Sequence, residues 1–196
     1  MTTRDGQVLE LRQYTLHPGR RDGFVERFER EFVHTQEEAG IHVVGTFVDL
    51  DDPDRFVWLR SFASYDDRAR ALTAFYVDGP VWARLRDETN ADLIDSDDVV
   101  MLTPRPGRPA PVVHRDAIDI HVWAAGSDDD EAAALRELAD LPADIVAASD
   151  PRPNNFTRQP IRDDRVVVLV GPAAPVPLGR QLQSLRLAPT SGSALR

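Results

Sequence analysis

The sequence has 196 residues, of which 42% are hydrophobic, and this is enough apolar material for the core of one large domain or two small ones. Its formal net charge of -10 argues against a protein that binds nucleic acid by neutralising phosphates. An anionic membrane surface would repel such a chain too, so we expect neither nucleic acid nor a membrane as a partner.

Two residue types are missing from the sequence. The absence of cysteine excludes disulfides, thiolate nucleophiles and cysteine-ligated metal centres. All 23 basic residues are arginine, so chemistry that needs a lysine amine, such as a Schiff base or a P-loop lysine, is excluded as well. The first residues form no apolar signal sequence, and no run approaches the ~20 apolar residues of a membrane span, so we expect a cytoplasmic protein.

The first half of the chain begins with a predicted strand and a predicted helix. Residues 8–16 alternate between apolar and polar side chains, as in a half-buried strand, and end at a His-Pro-Gly breaker. Residues 21–39 predict a helix, because Phe24, Phe28 and Phe32 recur every four residues and form one apolar stripe. Gly40 is the predicted C-cap of this helix.

Two strands and a broken helical segment follow. Residues 41–50 and 55–62 predict a pair of strands joined by an acidic Asp-Asp-Pro-Asp turn. Ser64 and Asp67 form a capping box for a helix that ends at residue 76, and a further helix is predicted over residues 81–93 after Gly-Pro. A last strand is predicted over residues 99–103. The order β-α-β-β-α-β is that of the ferredoxin-like unit.

The second half starts after a proline-rich segment, P-R-P-G-R-P-A-P, which predicts a stiff linker without regular structure. Beyond it we predict strands over residues 117–125, 144–148, 165–170 and 185–189. Ser127 caps an acidic-headed helix, and the second helix of this half is reduced to about residues 178–185. We therefore divide the chain into a first unit (1–104), a linker (105–116) and a second, reduced unit (117–196).

The two halves align with each other over short stretches. E-L-R-Q-Y (10–14) lies against D-I-H-V-W (119–123), and D-R-F-V-W-L (54–59) lies against D-R-V-V-V-L (164–169). Their common order indicates an internal repeat. Because a single four-stranded sheet would leave one apolar face uncovered, we expect an α+β fold in which tandem ferredoxin-like units pack their antiparallel sheets as an intrachain dimeric α/β barrel.

The first half also resembles the NIPSNAP family over roughly residues 8–104. The resemblance rests on four stretches, E-L-R-Q-Y-T-L-H-P-G-R-R-D (10–22), G-I-H-V-V-G-T-F-V-D-L-D-D-P-D-R-F-V-W-L-R-S-F (40–62), G-P-V-W (79–82) and R-D-E-T-N-A-D-L-I-D-S-D-D-V-V-M-L (86–102). It implies a dimeric α/β-barrel architecture, whose wider superfamily includes cofactor-free monooxygenases, polyketide cyclases, isomerases and several haem proteins. It implies no defined reaction, because fold alone does not fix function.

Acidic residues offer two weak metal sites. The D-L-D-D-P-D stretch (49–54) lacks the glycine and the bidentate glutamate of a calcium loop, so we interpret it as a hairpin turn. Glu31, His34 and Glu38 lie on successive turns of the first helix, a spacing that can hold a divalent cation, but charged flanks of amphipathic helices are ordinary. We predict no metal and no other cofactor.

One face of the strands gathers large aromatic and charged side chains. Residues that share a side are, strand by strand, Glu10, Arg12 and Tyr14; Phe56, Trp58, Arg60 and Phe62; and Asp119, His121 and Trp123. Such a lining can hold a flat anionic or phenolic ligand by stacking and charge-assisted hydrogen bonds. The alternative is that Glu10 and Arg12 pair with strand neighbours while the aromatic residues are core.

The resulting hypothesis is a small-molecule biosynthetic enzyme with an aromatic or polyketide-like substrate, which catalyses cyclisation, isomerisation or cofactor-independent oxygenation. His42 or His121 is the predicted general base, and Arg12 or Arg60 the group that stabilises an enolate or phenolate. The predicted substrate-binding residues are Tyr14, Trp58, Tyr76, Trp82 and Arg86. Alternatives are a non-catalytic binding or scaffold protein and a haem protein with an axial histidine, and a homodimer of the chain is left open.

Overall fold

The computed structural model describes residues 6–110, 115–172 and 179–195. The strands of the first half are β1 (Val8–Leu16), β2 (His42–Asp49), β3 (Arg55–Phe62) and β4 (Leu93–Arg105). Its helices are α1 (Arg21–Arg27), a π-helical segment (Phe28–Val33), α2 (His34–Glu38), α3 (Tyr65–Tyr76) and α4 (Pro80–Ala91). The second half contains β5 (Arg108–Pro109), β6 (Ile118–Ala124), α5 (Asp128–Leu138), β7 (Pro142–Ala143), β8 (Ile145–Ser149), β9 (Val166–Gly171) and β10 (Gln181–Pro189).

Eight of these strands form one closed barrel in the order β1-β3-β2-β10-β6-β9-β8-β4, and every pair in it is antiparallel. In the first half, β1 lies between β3 and β4, and β2 lies beside β3. In the second half, β6 lies between β9 and β10, and β8 lies beside β9. The two four-stranded sheets meet where β2 pairs with β10 and where β4 pairs with β8. This arrangement confirms the predicted fold class of tandem ferredoxin-like sheets closed into an intrachain barrel.

The interior of the barrel is apolar and tightly filled. Alternate residues of the strands point inward, and aliphatic side chains such as Leu11, Leu59, Ile120 and Val168 are at most 1% exposed. Both halves contribute to this core, so neither sheet keeps an uncovered apolar face. The outward-facing residues of β1 and β3 instead pack against the helices of the first half. The barrel interior therefore leaves no room for a ligand.

The helical layer of the first half follows the sequence pattern closely. The Phe24, Phe28 and Phe32 stripe is buried against the sheet, as predicted, and Gly40 ends the helical run with a φ of +88°, which favours glycine. The π-helical turn in the middle of the run was not predicted, because periodicity does not distinguish it from a regular helix. Ser64 caps α3 as predicted, since its side chain accepts a hydrogen bond from the Asp67 backbone nitrogen at 3.1 Å.

The predictions for the middle and the end of the chain need correction. The proline-rich segment does hold regular structure, because residues 104 and 105 continue β4 and Arg108–Pro109 pair in parallel with β7. A helix over residues 178–185 is wrong for 181–185, which begin β10, where outward polar and inward apolar side chains alternate. Residues 111–114 and residue 178 lie outside the described parts of the chain, and the domain boundary at 105–116 stays a prediction.

Among the described residues, no helix is both long enough and apolar enough to cross a bilayer.

Replacement of Leu187 by alanine tests the closure of the barrel. Leu187 is fully buried in β10, which bridges the two halves by pairing with β2 and β6, and we expect its truncation to lower the free energy of unfolding by about 2–5 kcal/mol. Leu50, which is 46% exposed, is the matched control, and its replacement by alanine should change stability by less than about 0.5 kcal/mol. Urea denaturation measures both, and equal losses would contradict this account of the core.

Candidate functional site

A cavity of about 550 Å³ lies between the outer face of the first-half sheet and the helices that cover it. This volume is in the range of small-molecule sites. The lining comes from β1, β3, the helices, the start of β4 and the loop that precedes β9. The lining residues are Tyr14, Phe24, Phe28, Phe32, Gln36, Trp58, Phe75, Tyr76, Trp82, Arg86, Thr89, Asn90, Leu93, Ile94, Asp95, Ser96, Asp97, Arg158, Gln159 and Pro160.

Eight of the twenty lining residues of the cavity are aromatic. Phe28 lies edge-on to Trp58, with ring centroids 4.9 Å apart, and Tyr76 lies edge-on to Trp82 at 5.0 Å. Phe32 continues this wall toward Trp82 at 5.8 Å. Rings packed at these distances form a rigid, flat-sided pocket that suits a planar ligand.

A fully buried ionic cluster stands behind this aromatic wall, with Glu10 at its centre. Its Oε2 lies 2.9 Å from Arg12 Nη1, 2.7 Å from Arg60 Nε and 2.6 Å from Arg60 Nη2. Its Oε1 accepts a hydrogen bond from Arg68 Nε at 2.6 Å. All four side chains have 0% exposure. Three guanidinium groups thus share one carboxylate, and the cluster has an excess of positive charge.

The cluster controls the ionisation of Glu10. Burial alone would raise the pKa of this carboxyl, but the charges of Arg60, Arg12 and Arg68 outweigh that effect and hold its pKa well below the usual range. Glu10 is therefore ionised at any physiological pH. Glu10 and Arg12 do pair with strand neighbours, as the alternative interpretation expects. The arginines also donate hydrogen bonds to side chains that line the cavity.

Two phenols connect the cluster to the cavity. Tyr14 Oη accepts a hydrogen bond from Arg12 Nε at 3.1 Å, and Tyr76 Oη accepts one from Arg60 Nη1 at 3.2 Å. In the described parts of the chain neither phenol donates a hydrogen bond to another group, so both protons are free for a ligand oxygen. Burial raises the pKa of Tyr14, which keeps this phenol protonated near neutral pH.

Three further polar atoms of the lining are buried and have no hydrogen-bond partner within residues 6–110, 115–172 and 179–195. They are Gln36 Oε1, Trp58 Nε1 and Thr89 Oγ1. An unsatisfied buried polar group costs about 1–3 kcal/mol, so native proteins usually supply it with water or a ligand. The indole of Trp58 also lies under two cations, since Arg60 Cζ is 5.1 Å and Arg12 Cζ 5.6 Å from its ring centre.

The loop between β8 and β9 brings part of the second half to this site. Gln159 Oε1 accepts a hydrogen bond from Arg12 Nη2 at 2.6 Å, and Gln159 also lines the cavity. Asn154 and Asn155 accept hydrogen bonds from Arg68 Nη1 at 3.1 and 2.5 Å. Neutral amides of the second half therefore cover the arginine cluster of the first half.

Most of the predicted site residues come together here. The five predicted substrate-binding residues, Tyr14, Trp58, Tyr76, Trp82 and Arg86, all line the cavity. Arg12 and Arg60 lie behind the wall and reach the cavity through the two phenols and Gln159. Substrate binding and catalysis by these residues remain predictions, because their common position alone does not establish a reaction.

The structure does not bring the two predicted general bases to this cavity. His42 is largely exposed at the start of β2, where its Nδ1 lies 3.0 Å from Glu37 Oε1. His121 lies on the second half, stacked on Trp123, and its Nδ1 contacts Gln181 and Ser184. Burial lowers the pKa of His121. The alternation of side chains along the strand correctly predicted that His121 lies on the outer face of its sheet. That sheet belongs to the second half, whereas the cavity lies on the sheet of the first half.

The residues weighed as a metal site have other partners. Glu31 pairs with Arg30 and Arg84, whereas His34 pairs with Glu38 on the exposed side of the helix. Within the described chain, no group of three or more histidine, aspartate or glutamate side chains is arranged to hold a metal ion.

Several residues of the site were missed by sequence reasoning. Arg68 lies on α3, and no local signal shows that this helical arginine turns toward a buried carboxylate. Gln36 could have been found, since it continues the Phe24, Phe28 and Phe32 stripe by one more step of four residues. Gln159 belongs to an irregular loop, whose position depends on the closed barrel and cannot be inferred from local pattern.

Replacement of Glu10 by glutamine tests the ionic cluster. Removing the only carboxylate among these four side chains leaves three buried guanidinium groups without a counterion, and we expect a loss of about 3–5 kcal/mol in the free energy of unfolding at pH 7. Because the pKa of Glu10 is lowered on folding, its contribution is fully present above the unfolded pKa, near 4.5, and is lost as the pH falls further.

Denaturation curves between about pH 3 and pH 7 check this expectation. The Glu10→Gln variant should show a shallower loss of stability in acid than the wild type. Glu26→Gln is the control, since Glu26 is exposed and pairs only with Arg30 on the same helix. A pH dependence that Glu10→Gln leaves unchanged would contradict the role of this carboxylate.

Comparison with solved structures finds similar folds. A protein of Fusobacterium nucleatum, named as a candidate monooxygenase, matches 96% of this chain and 94% of its own with a TM-score of 0.60 at 8% identity. A candidate monooxygenase of Lactobacillus acidophilus matches 94% of each chain with a TM-score of 0.58 at 12% identity. At these identities the likeness shows the fold alone.

A third solved structure, an uncharacterised NIPSNAP-like domain protein of Burkholderia xenovorans, is 25% identical over 57% of this chain and 97% of its own, with a TM-score of 0.48. The search of curated proteins finds no match. A family model described as NIPSNAP matches residues 9–108, which is just over half of the chain and includes β1, all the helices of the first half and the aromatic side of the cavity. The chain belongs to the NIPSNAP family.

Proposed function

We propose that this protein is a small-molecule biosynthetic enzyme, and that an aromatic or polyketide-like ketone reacts in the cavity between sheet and helices. The observation that carries the proposal is the pair of phenols at Tyr14 and Tyr76, each of which accepts a hydrogen bond from a buried arginine and keeps its own proton free. Such donors are suited to an oxygen on which negative charge develops during a reaction.

The proposed chemistry starts with the loss of a proton from a carbon next to the substrate carbonyl. The C–H electron pair moves into the carbonyl, and the resulting enolate oxygen accepts hydrogen bonds from the two phenols. Return of the proton at another position completes an isomerisation. In a cyclisation, the carbanion attacks a second carbonyl of the same molecule, a C–C bond forms, and the alkoxide that results takes back the proton from the base. In an oxygenation, a CH2 group of the substrate loses a proton to form the same carbanion, which reacts with dioxygen. The CH2 group becomes a carbonyl group, and water is the second product.

The proton acceptor must differ from the predicted histidines if the reaction occurs in this cavity. Asp95 and Asp97 are the carboxylates of its lining, and both are exposed at the start of β4. Asp95 Oδ1 accepts a hydrogen bond from the Asp97 backbone nitrogen at 2.9 Å, whereas the Asp97 carboxylate accepts none from the described residues and can take a proton. We assign the role of base to Asp97.

The structural neighbours named as candidate monooxygenases are compatible with the oxygenation branch, but their low identity supports only a shared fold. The haem alternative has less support, because no histidine in the described parts of the chain lines the cavity where an axial ligand would be needed. The non-catalytic alternative is favoured by the same aromatic walls, since they would bind a planar ligand without any reaction.

Exchange of deuterium into 1-tetralone, an aromatic ketone with an enolisable methylene, tests the proposed step by NMR in D₂O. We expect the wild-type protein to accelerate exchange at the carbon next to the carbonyl. Tyr14→Phe and Tyr76→Phe should each lower the rate by about 10²–10³-fold, because each removes one donor to the developing enolate. Asp97→Asn should also lower it.

Tyr65→Phe is the matched control, because its hydroxyl donates to the Pro153 backbone oxygen and Tyr65 does not line the cavity. His42→Ala should likewise leave the rate unchanged. If Tyr14→Phe and Tyr76→Phe both exchange at the wild-type rate, the phenols have no such role. If the ketone raises the melting temperature but is not exchanged, the protein is a binder rather than an enzyme.

A further inference from the structure

The buried cluster behind the cavity contains more positive than negative charge. Arg12, Arg60 and Arg68 surround a single carboxylate, and all four side chains have 0% exposure. The other groups that accept hydrogen bonds from these arginines are neutral, namely Tyr14, Tyr76, Asn154, Asn155 and Gln159. Arg68 Nη2 is buried and has no partner in the described parts of the chain.

An excess of buried charge is unfavourable, and proteins usually balance it with a counterion. Within residues 6–110, 115–172 and 179–195, no second carboxylate is hydrogen-bonded to the three arginines. Two of the arginines contact the cavity lining, because Arg12 donates hydrogen bonds to Tyr14 and Gln159 and Arg60 donates one to Tyr76. We propose that the ligand of this cavity is an anion, an ionised phenol or enol, whose charged oxygen lies against Tyr14, Tyr76 and Trp58, in the position that the proposed function gives to the reacting oxygen.

The donors at this end of the cavity fit such a group. The hydroxyls of Tyr14 and Tyr76 are free to donate, and each is polarised by the arginine that donates to it. Trp58 Nε1 is a third donor without a partner in the described residues, and its ring is flanked by the Arg12 and Arg60 guanidinium groups. Three donors backed by cations favour an anion over a neutral oxygen, because hydrogen bonds to charged groups are the stronger ones.

The remaining lining residues determine the shape and polarity of the uncharged part of the ligand. The aromatic rings of Phe28, Phe32 and Trp82 offer flat apolar surfaces, and the volume of about 550 Å³ admits two or three fused rings. The inference rests on the proposed function for the location of the site, but it concerns binding in the ground state and requires no turnover. It names a charge on the bound molecule, whereas the proposed function names a charge that develops during reaction.

Gln159 allows a direct test. Its Oε1 lies 2.6 Å from Arg12 Nη2, so the Gln159→Glu substitution introduces a carboxylate that competes with an anionic ligand for the same charge. Asn155→Asp is the matched control, since it adds the same charge against Arg68 at 2.5 Å but at a residue that does not line the cavity. Both substitutions supply a counterion to the cluster, and we expect Gln159→Glu to fold with an unchanged or higher melting temperature. Asn155→Asp also loses the hydrogen bond that Asn155 Nδ2 donates to the Tyr65 backbone oxygen at 2.7 Å, so its melting temperature should be lower than that of Gln159→Glu, and its fold is checked by circular dichroism before binding is compared.

The probes are 2-naphthoate and 2-naphthamide, which have the same shape and differ in charge. Titration calorimetry at neutral pH should show that the wild type binds the carboxylate about 10- to 100-fold more tightly than the amide. Gln159→Glu should remove most of that preference, and Asn155→Asp should remove clearly less. The binding of 2-naphthamide should change little in either variant.

Equal affinity of the wild type for the two probes would overturn the inference, whatever the variants do. Equal loss in the two variants would overturn its placement at the cavity end of the cluster. A protein that prefers 2-naphthoate but does not exchange 1-tetralone keeps this inference and loses the proposed function. A protein that exchanges 1-tetralone and does not prefer the carboxylate keeps the proposed function and loses this inference.

Discussion

The first half of the structure depends on one carboxylate, Glu10, which lies near the start of β1 and binds Arg12, Arg60 and Arg68. These contacts join two neighbouring strands to α3 across an otherwise apolar layer, so they fix how the helices sit on the sheet. Burial of four charged groups is unfavourable unless geometry and hydrogen bonding are nearly complete. The loop before β9 supplies the missing acceptors, and the cluster therefore also links the two halves of the chain.

The cavity is a product of the same constraint. The barrel interior is filled by aliphatic side chains, and the cavity of the first half lies outside the sheet, among the aromatic rings that pack next to the cluster. Tyr14 and Trp58 stand between the arginines and this space. Both side chains contact the arginines, so the positive charge lies directly behind the cavity wall. They also keep water away from the guanidinium groups, and the low local dielectric strengthens electrostatic interactions at that wall.

Local pattern was sufficient for most of the first half. Alternation defined β1 and β3, the phenylalanine stripe defined the first helix, and the choice of outward-facing residues on these strands identified two of the lining residues, Tyr14 and Trp58. Local sequence pattern failed where tertiary contacts determine the secondary structure. β4 extends from Leu93 because pairing with β1 overrides its polar sequence, and the start of β10 takes a strand conformation because it completes the barrel beside β6. Histidine was predicted as the base from its intrinsic pKa and from the face of its strand, and neither specifies which part of the barrel holds the cavity.

The two halves share a strand order but not the outward-facing side chains. Where β1 presents Glu10, Arg12 and Tyr14, β6 presents Asp119, His121 and Trp123, and β9 carries Leu169 and Val167 on the face where β3 carries Trp58 and Arg60. A barrel assembled from two identical chains must repeat every side chain, so any site it forms occurs twice. Covalent fusion removes that requirement. One half can then keep the cavity while the other supplies part of its cover, and a ligand of this cavity would bind in a ratio of one to each barrel.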